Sequence, residues 1–340
     1  MPFEPPCCPD PDCPSHDSRL AWSWCHDGTY SRACDGRVVQ RFRCNDCGRR
    51  FSSQTFRGDY RHKKPKLNAQ LFRLLISKVT LRQAARVLRV NKKTITRRLP
   101  RMGATAKAVH EKLAPRRDGA DFLEGGFLLD ELETYADSRR NNPLTVPVLI
   151  HKESFFVVDT EVGPLPRRGG RGRDENEPEE LDEAEDRERR RGSRVAVEAC
   201  CQTLARLVPE DEEVIVGSDE KHSYRVLLKD ALGKRLDHQR TNSRAPRNRL
   251  NPLFRINLTL AMMRDSVSRL VRRTWAASKL EERLRDHVWI WIAWRNYVRG
   301  MTNKSPRKTP AMKIGACTRR LAPAEILRWR APFVGSLFGR

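Results

Sequence analysis

The sequence predicts a multidomain α/β chain: a cysteine-rich module, a basic helical region, and a larger domain that mixes strands with helices. Three observations carry this. Seven of the ten cysteines fall before residue 48. Residues 66–115 show helical periodicity with cap signals. Beyond residue 121, short apolar strand-like runs precede long helices. A length of 340 residues suggests two or three domains and at least one sizeable core.

The charge narrows the function classes. Lys and Arg number 67 against 43 Asp and Glu, a net charge of +24. Such an excess points to a polyanion, most simply nucleic acid. No stretch approaches the ~20 continuous apolar residues of a spanning helix; the nearest is Val288 to Ala293. A membrane protein is therefore excluded. The opening Met1-Pro2-Phe3-Glu4 lacks a basic and then apolar leader, so the expected location is cytoplasmic, with reduced thiols and no disulfide framework.

Residues 1–55 read as a zinc ribbon. Cys44-Asn-Asp-Cys47-Gly48 places two thiolates on one tight turn, half of a tetrahedral site. Cys8 and Cys13 should supply the other half. Cys7 can substitute for Cys8, and Cys25, His26 or Cys34 for either. Four thiolates close the coordination sphere, so Zn²⁺ would be structural, holding a module too small to fold on its own core.

Residues 66–115 read as a helix-turn-helix region. Thr80 with Gln83 three residues on makes a capping box that opens a helix through Leu81, Ala84, Ala85 and Leu88. Asn91 caps a second helix. The alanines allow a close crossing, and Val90, Ile95 and Leu99 anchor the second helix. That leaves Lys92, Lys93, Thr94, Thr96 and Arg97 facing a DNA groove and its phosphates.

Residues 121–340 hold the larger domain. Phe127 to Tyr135 is a strand-like run carrying Asp130 and Glu131, followed by runs at Thr145–Ile150 and Ser154–Val158. Residues 166–194 contain nine Arg and ten acidic residues among Gly and Pro. This stretch has too little apolar surface to fold alone and reads as a disordered or loosely helical insertion. A helix is expected from Val195 to Leu207, then a buried strand Val214 to Asp219, then a helix through Tyr224 and Leu227. Three strands, a helix, a strand and further helices give the order of a ribonuclease-H-like mixed sheet. In that fold, carboxylates at neighbouring strand ends hold two divalent ions, and hard Mg²⁺ or Mn²⁺ suits aspartate oxygens. Asp130 and Asp219 are the candidates. The expected final helices, Asn251–Trp275 and Ser278–Arg299, offer Arg264, Arg269, Arg272, Arg273, Arg295 and Arg299 as a phosphate-binding rim. Trp289, Trp291 and Trp294 read as core. His222 and His238 flank the second acid region.

These residues resemble bacterial insertion-sequence transposases of the zinc-ribbon kind related to "insertion sequence one". The likeness rests on the CxxCGRRF knuckle, Tyr60-Arg61 with the nearby Lys-Pro, the helix-turn-helix, Asp130-Glu131 with Thr134-Tyr135, and Ser218-Asp219. It extends through Arg255-Ile-Asn-Leu-Thr-Leu260 to Arg269-Leu270 and Arg272-Arg273-Thr274. The resemblance implies a DDE enzyme that cuts element ends and joins a 3′-hydroxyl to target DNA, working on double-stranded DNA as a homo-oligomer near the nucleoid. Asp130 and Asp219 match its first two acids. Its glutamate position is Phe254 here, which cannot bind a metal. Asp265, about three turns further along the same helical face, or Asn251, one turn earlier, are substitutes, as are Glu281 and Glu282 of the later helix if it folds back; a different subgroup or an inactive copy are the other readings. The rival function is a non-catalytic DNA-binding regulator.

Overall fold

The computed structural model describes residues 3–16, 22–114, 120–167, 183–246, 248–272 and 275–329. At the N-terminus, β1 (Trp24–Ser31), β2 (Val38–Cys44) and β3 (Arg50–Ser52) form an antiparallel sheet in sequence order. Phe42 and Phe51 face each other across β2 and β3 and stack. With Phe56 and the buried cysteines they make a small core of their own.

Helices α1 (Leu67–Leu75), α2 (Leu81–Val87) and α3 (Lys92–Leu113) follow. The capping box forms: the Thr80 N–H donates to Gln83 Oε1 and the Gln83 N–H to Thr80 Oγ1. Asn91 Oδ1 accepts from the Lys93 N–H and opens α3. Ala84 and Ala85 are buried where α2 meets α3, and Ile95 and Leu99 are buried beneath α3. These helices share one continuous core with the larger domain. A short helix, α4 (Ala120–Leu123), leads into it.

The larger sheet is mixed. Its strands are β4 (Phe127–Tyr135), β5 (Pro143–His151), β6 (Val157–Thr160), β7 (Gly163–Pro164), β8 (Val214–Asp219) and β9 (Leu236–Thr241). The order is β6-β5-β4-β8-β9, with β7 added on β5. β4, β5 and β6 pair antiparallel, whereas β8 runs parallel to β4 and β9 parallel to β8. This arrangement is consistent with the ribonuclease-H-like expectation. Every residue of β5 is buried, as a strand covered on both faces requires.

Several expectations needed correction. Ser154 lies in a turn rather than in a strand: its hydroxyl pairs with His151 Nδ1 at 2.8 Å and accepts the Phe156 N–H at 3.1 Å, so β6 starts at Val157. Of the charged segment, expected to be disordered or loosely helical, the part from residue 183 is regular helix, because α5 spans Glu183–Leu207. Glu183 and Arg187, Glu185 and Arg189, and Asp186 and Arg190 are spaced four apart, the order that supports a helix. Arg167 ion-pairs with Glu185 and Arg189 donates to Leu165 O and Pro143 O, which tie this end of α5 to the sheet edge. Residues 168–182 of that segment lie outside the described residues. Strand β9 was not anticipated. Its sequence, Leu-Asp-His-Gln-Arg-Thr, is mostly polar, as befits an outer strand.

Helix α6 (His222–Leu232) follows β8, and α7 (Phe254–Ser266) follows β9. Helix α8 (Glu281–Ala293) runs into a π-type turn at Trp294–Val298. Short helices α9 (Pro310–Lys313) and α10 (Pro323–Leu327) close the described chain. The predicted final helices are therefore shorter: one ends at Ser266, the other starts at Glu281. Trp289 and Trp291 are core residues, with Trp294 packed against them. No helix of the described residues is long and apolar enough to cross a membrane.

Candidate functional site

Two groups of side chains have the chemistry of a site. The first is a cluster of thiols. Strand β2 delivers Cys44 at its end, and the turn to Cys47 closes with the Gly48 N–H on Cys44 O at 3.0 Å. Gly48 has φ +71°, a conformation that glycine adopts without strain. Cys8 and Cys13 approach from the N-terminal loop. The four sulfurs lie within 4.8 Å of one another, with Cys8 to Cys47 at 3.6 Å and Cys13 to Cys44 at 3.9 Å. Four sulfurs at Zn–S bond lengths around one tetrahedral ion sit about 3.8 Å apart. The soft donor set and these distances fit Zn²⁺. Cys7, Cys25, His26 and Cys34 stand outside the cluster. Cys7 is buried instead, and burial pushes its thiol up to about 11.

The second group lies on β4 and β8. Phe127 is opposite Val216 and Leu128 opposite Gly217. Asp130 and Asp219 each lie two residues beyond the last paired residues, Leu128 and Gly217. Side chains alternate along a strand, so both carboxylates lie on the face of Leu128 and Gly217. Both lie just past the paired stretch of β4 and β8, on its carboxyl side, the side on which open α/β sheets bind ligands. The Lys221 N–H donates to Asp219 Oδ1 at 3.0 Å, and the Glu131 N–H to Asp130 Oδ1 at 2.7 Å. Thr241 of β9 lies beside Asp219, and His238 Nε2 pairs with Ser218 Oγ at 2.8 Å.

Glu131 and Tyr224 complete this region and were not singled out from the sequence as site residues. Glu131 is almost enclosed, with a side chain 7% exposed, and ion-pairs with Lys221 while accepting from Thr145 Oγ1. Burial raises the Tyr224 hydroxyl far above its usual range, and the charges of Glu131, Asp130 and Asp219 raise it further. Three carboxylates thus gather near one buried phenol. Asp130 and Asp219 offer hard oxygen donors that fit Mg²⁺ or Mn²⁺. Among the described residues, the four cysteines are the one group of three or more potential ligands with converging donor atoms.

Phe254 begins α7. Asn251 uses its side chain locally: Oδ1 accepts the Leu253 N–H at 2.8 Å and Nδ2 donates to Pro246 O at 2.9 Å. Asp265 lies in the last turn of α7, with its side chain 84% exposed and Lys78 Nζ 3.7 Å away. The Lys78 N–H also donates to Ser266 O, so this end of α7 is held against the loop between α1 and α2.

Basic side chains separate into buried and exposed sets. Arg269 and Arg295 were expected on the rim but are interior. Arg269 donates to Ser278 Oγ at 2.7 Å, and burial lowers both guanidinium groups to about 10. Arg264 and Arg272 do line a small cleft with Tyr135 and Arg139, of about 240 Å³, at the end of β4. Arg273 lies outside the described residues. On α3, Lys92, Lys93, Thr96 and Arg97 are exposed and Thr94 is half-buried.

The chain is similar to the catalytic domain of Mos1 mariner transposase, known from a crystal structure, with 15% identity and a TM-score of 0.30. The match covers 57% of this chain and 85% of that one. No protein-family model and no curated protein matches the chain.

Proposed function

We propose that the protein is a DNA transposase of the zinc-ribbon kind related to "insertion sequence one". The observation that supports this reading is the parallel pairing of β4 with β8 at Phe127–Val216 and Leu128–Gly217, each strand carrying an aspartate two residues further on. The Cys8, Cys13, Cys44 and Cys47 module acts as a zinc ribbon, and α2 and α3 act as a helix-turn-helix. Lys92, Lys93, Thr94, Thr96 and Arg97 meet the terminal repeats of the element. The larger domain then cuts the strand and joins its 3′-hydroxyl to target DNA, in a homo-oligomer that pairs two ends.

Asp130 and Asp219 would hold the catalytic Mg²⁺ or Mn²⁺, which supplies an activated oxygen nucleophile and stabilises the leaving oxygen. Lys221 anchors Asp219 through its N–H and balances Glu131 through its side chain, which keeps the pair oriented. Arg264 and Arg272 would hold substrate phosphates beside the end of β4. A third ligand from Asp265 requires that it leave Lys78, and one from Asn251 that it give up its turn.

The test is cleavage and joining of the element's own ends by purified protein with Mg²⁺. Asp219→Asn is expected to lower the rate by roughly 10³-fold or more, about 4 kcal/mol of barrier, with duplex binding retained. Absence of cleavage and joining in wild type, with no effect of the substitution, would sink the reading. Phe254 at the family's glutamate position favours a second reading, a DNA-binding regulator without catalysis. Tight binding to terminal repeats without any cleavage in Mg²⁺ or Mn²⁺ would support it.

A further inference from the structure

A basic cleft of about 890 Å³ opens between α3 and the segment 61–64 that follows the N-terminal module. Arg61, Lys63, Lys64, Arg89 and Arg97 line it and are exposed, and no carboxylate does. Among the described residues Lys63, Lys64, Arg89 and Arg97 have no ion-pair partner, so their charges are available. A second cleft, about 720 Å³, lies on the α2 side, lined by Arg82, Arg86, Arg89 and Lys92. Arg89 belongs to both. The first turn of α3 therefore stands between two rows of cations.

The segment 61–64 is held in place rather than draped. Arg98, buried, donates to Lys64 O at 3.0 Å and to Asn68 Oδ1 at 2.8 Å. Arg101 donates to Tyr60 O at 2.9 Å. His62 packs against Asn68 with 3.1 Å between Nδ1 and Nδ2. Burial, reinforced by Arg98 and Arg101, lowers His62 to about 4, so it is neutral here. Two arginines are thus used to fasten the segment, while the exposed cations beside them face outward. Fixing cations before binding reduces the entropy lost on association.

We propose that segment 61–64 is a phosphate clamp that grips one backbone of duplex DNA while the α2 side grips the other. The major groove is about 12 Å wide and a helix with its side chains about 10 Å across. A helix seated there has a phosphate backbone on each flank. Two cation rows on either side of one helix end match that arrangement, and an acidic peptide would need only one. The inference rests on duplex DNA being the partner of α3, and it assigns to the link after the module a direct part in holding that DNA.

The experiment uses the full-length protein and short duplexes of unrelated sequence, with affinity measured across a salt series. Each backbone contact contributes about 0.9 to the slope of log affinity against log salt. The triple variant Arg61→Ala, Lys63→Ala, Lys64→Ala is expected to lower that slope by about 2–3 units, equally for every sequence. Lys63→Arg with Lys64→Arg should keep it. Melting temperature and zinc content equal to wild type establish that each variant is folded. An unchanged slope in the triple variant, with a lower slope for Arg82→Ala with Arg86→Ala, overturns the clamp and leaves the DNA reading standing. Failure of the wild type to bind duplex overturns both. Loss of poly-glutamate binding in the triple variant, with duplex binding intact, assigns the cleft to an acidic protein surface and also overturns the clamp.

Discussion

The N-terminal module and the mixed sheet solve the same problem by different means. The module has three short strands around Phe42, Phe51 and Phe56, and its remaining core residues are mainly the cysteines. The sheet domain buries all of β5 between layers and fills its core with Val, Ile, Leu and Trp. A small module buries too little apolar surface to offset chain entropy, so it requires a bound ion or another cross-link. A large sheet does not. The first region should therefore depend on metal, and the second on packing.

The largest expected effect tests that difference directly. A structural zinc site contributes about 10–16 kcal/mol of apparent folding free energy, so Cys44→Ser or a strong chelator should unfold residues 3–56 while the main thermal transition persists. Loss of both transitions together would show that the two regions fold as one. Hydrogen exchange resolved along the chain reads the outcome.

A smaller effect probes the seam between the helical region and the sheet domain. A Cβ on Gly103 of α3 would come within 2.6 Å of Asp286 Cα on α8, against backbone that cannot swing away. Gly103→Ala should destabilise by about 1–3 kcal/mol, the usual range for overpacking. The substitution should lower the main melting temperature and leave zinc content unchanged.

Next comes a pH effect confined to the sheet domain. Burial pushes the Asp159 carboxyl up to about 6, from an ordinary 3.8. Between those values the folded chain binds more protons than the unfolded chain, so this group's contribution falls as pH rises from about 4 to 6. Above pH 6 the cost is fully present. Asp159→Asn should therefore stabilise at pH 8 by roughly 2 kcal/mol at most, since a fringe of the side chain reaches solvent. The gain should shrink towards pH 4, as followed by urea melts. The smallest effect is at the cap of α2, where Thr80→Ala should cost about 1 kcal/mol, read by the same melts without change in the zinc site.

Much of the local structure was legible in the sequence. Thr80 and Gln83 announce α2 because a capping box is a contact between residues three apart. Phe127–Tyr135 and Val214–Asp219 announce strands by their apolar runs, the first carrying Asp130 after its apolar start and the second ending in Asp219. Other features were hidden for physical reasons. The polar pattern of β9 is that of an outer strand, which sequence periodicity reads as loop. Glu183–Arg194 is too polar to signal a buried helix face, and its helix is supported by charge spacing and by contacts to the sheet edge. Arg269 and Arg295 look like surface cations until their neighbours are known.

The sequence by itself determined the chemical inventory: a surplus of 24 positive charges, two pairs of spaced cysteines, two capped helices and two aspartates after apolar runs. All of these are properties of composition or of residues within one turn or strand. Tertiary structure decided which of seven N-terminal cysteines converge, which strand lies beside which, and which arginines remain exposed. Those depend on contacts between residues far apart in the chain, and no local pattern encodes them. The register of β4 with β8 is of this kind: residues 127 and 216 are neighbours only after the helices and loops between them have packed.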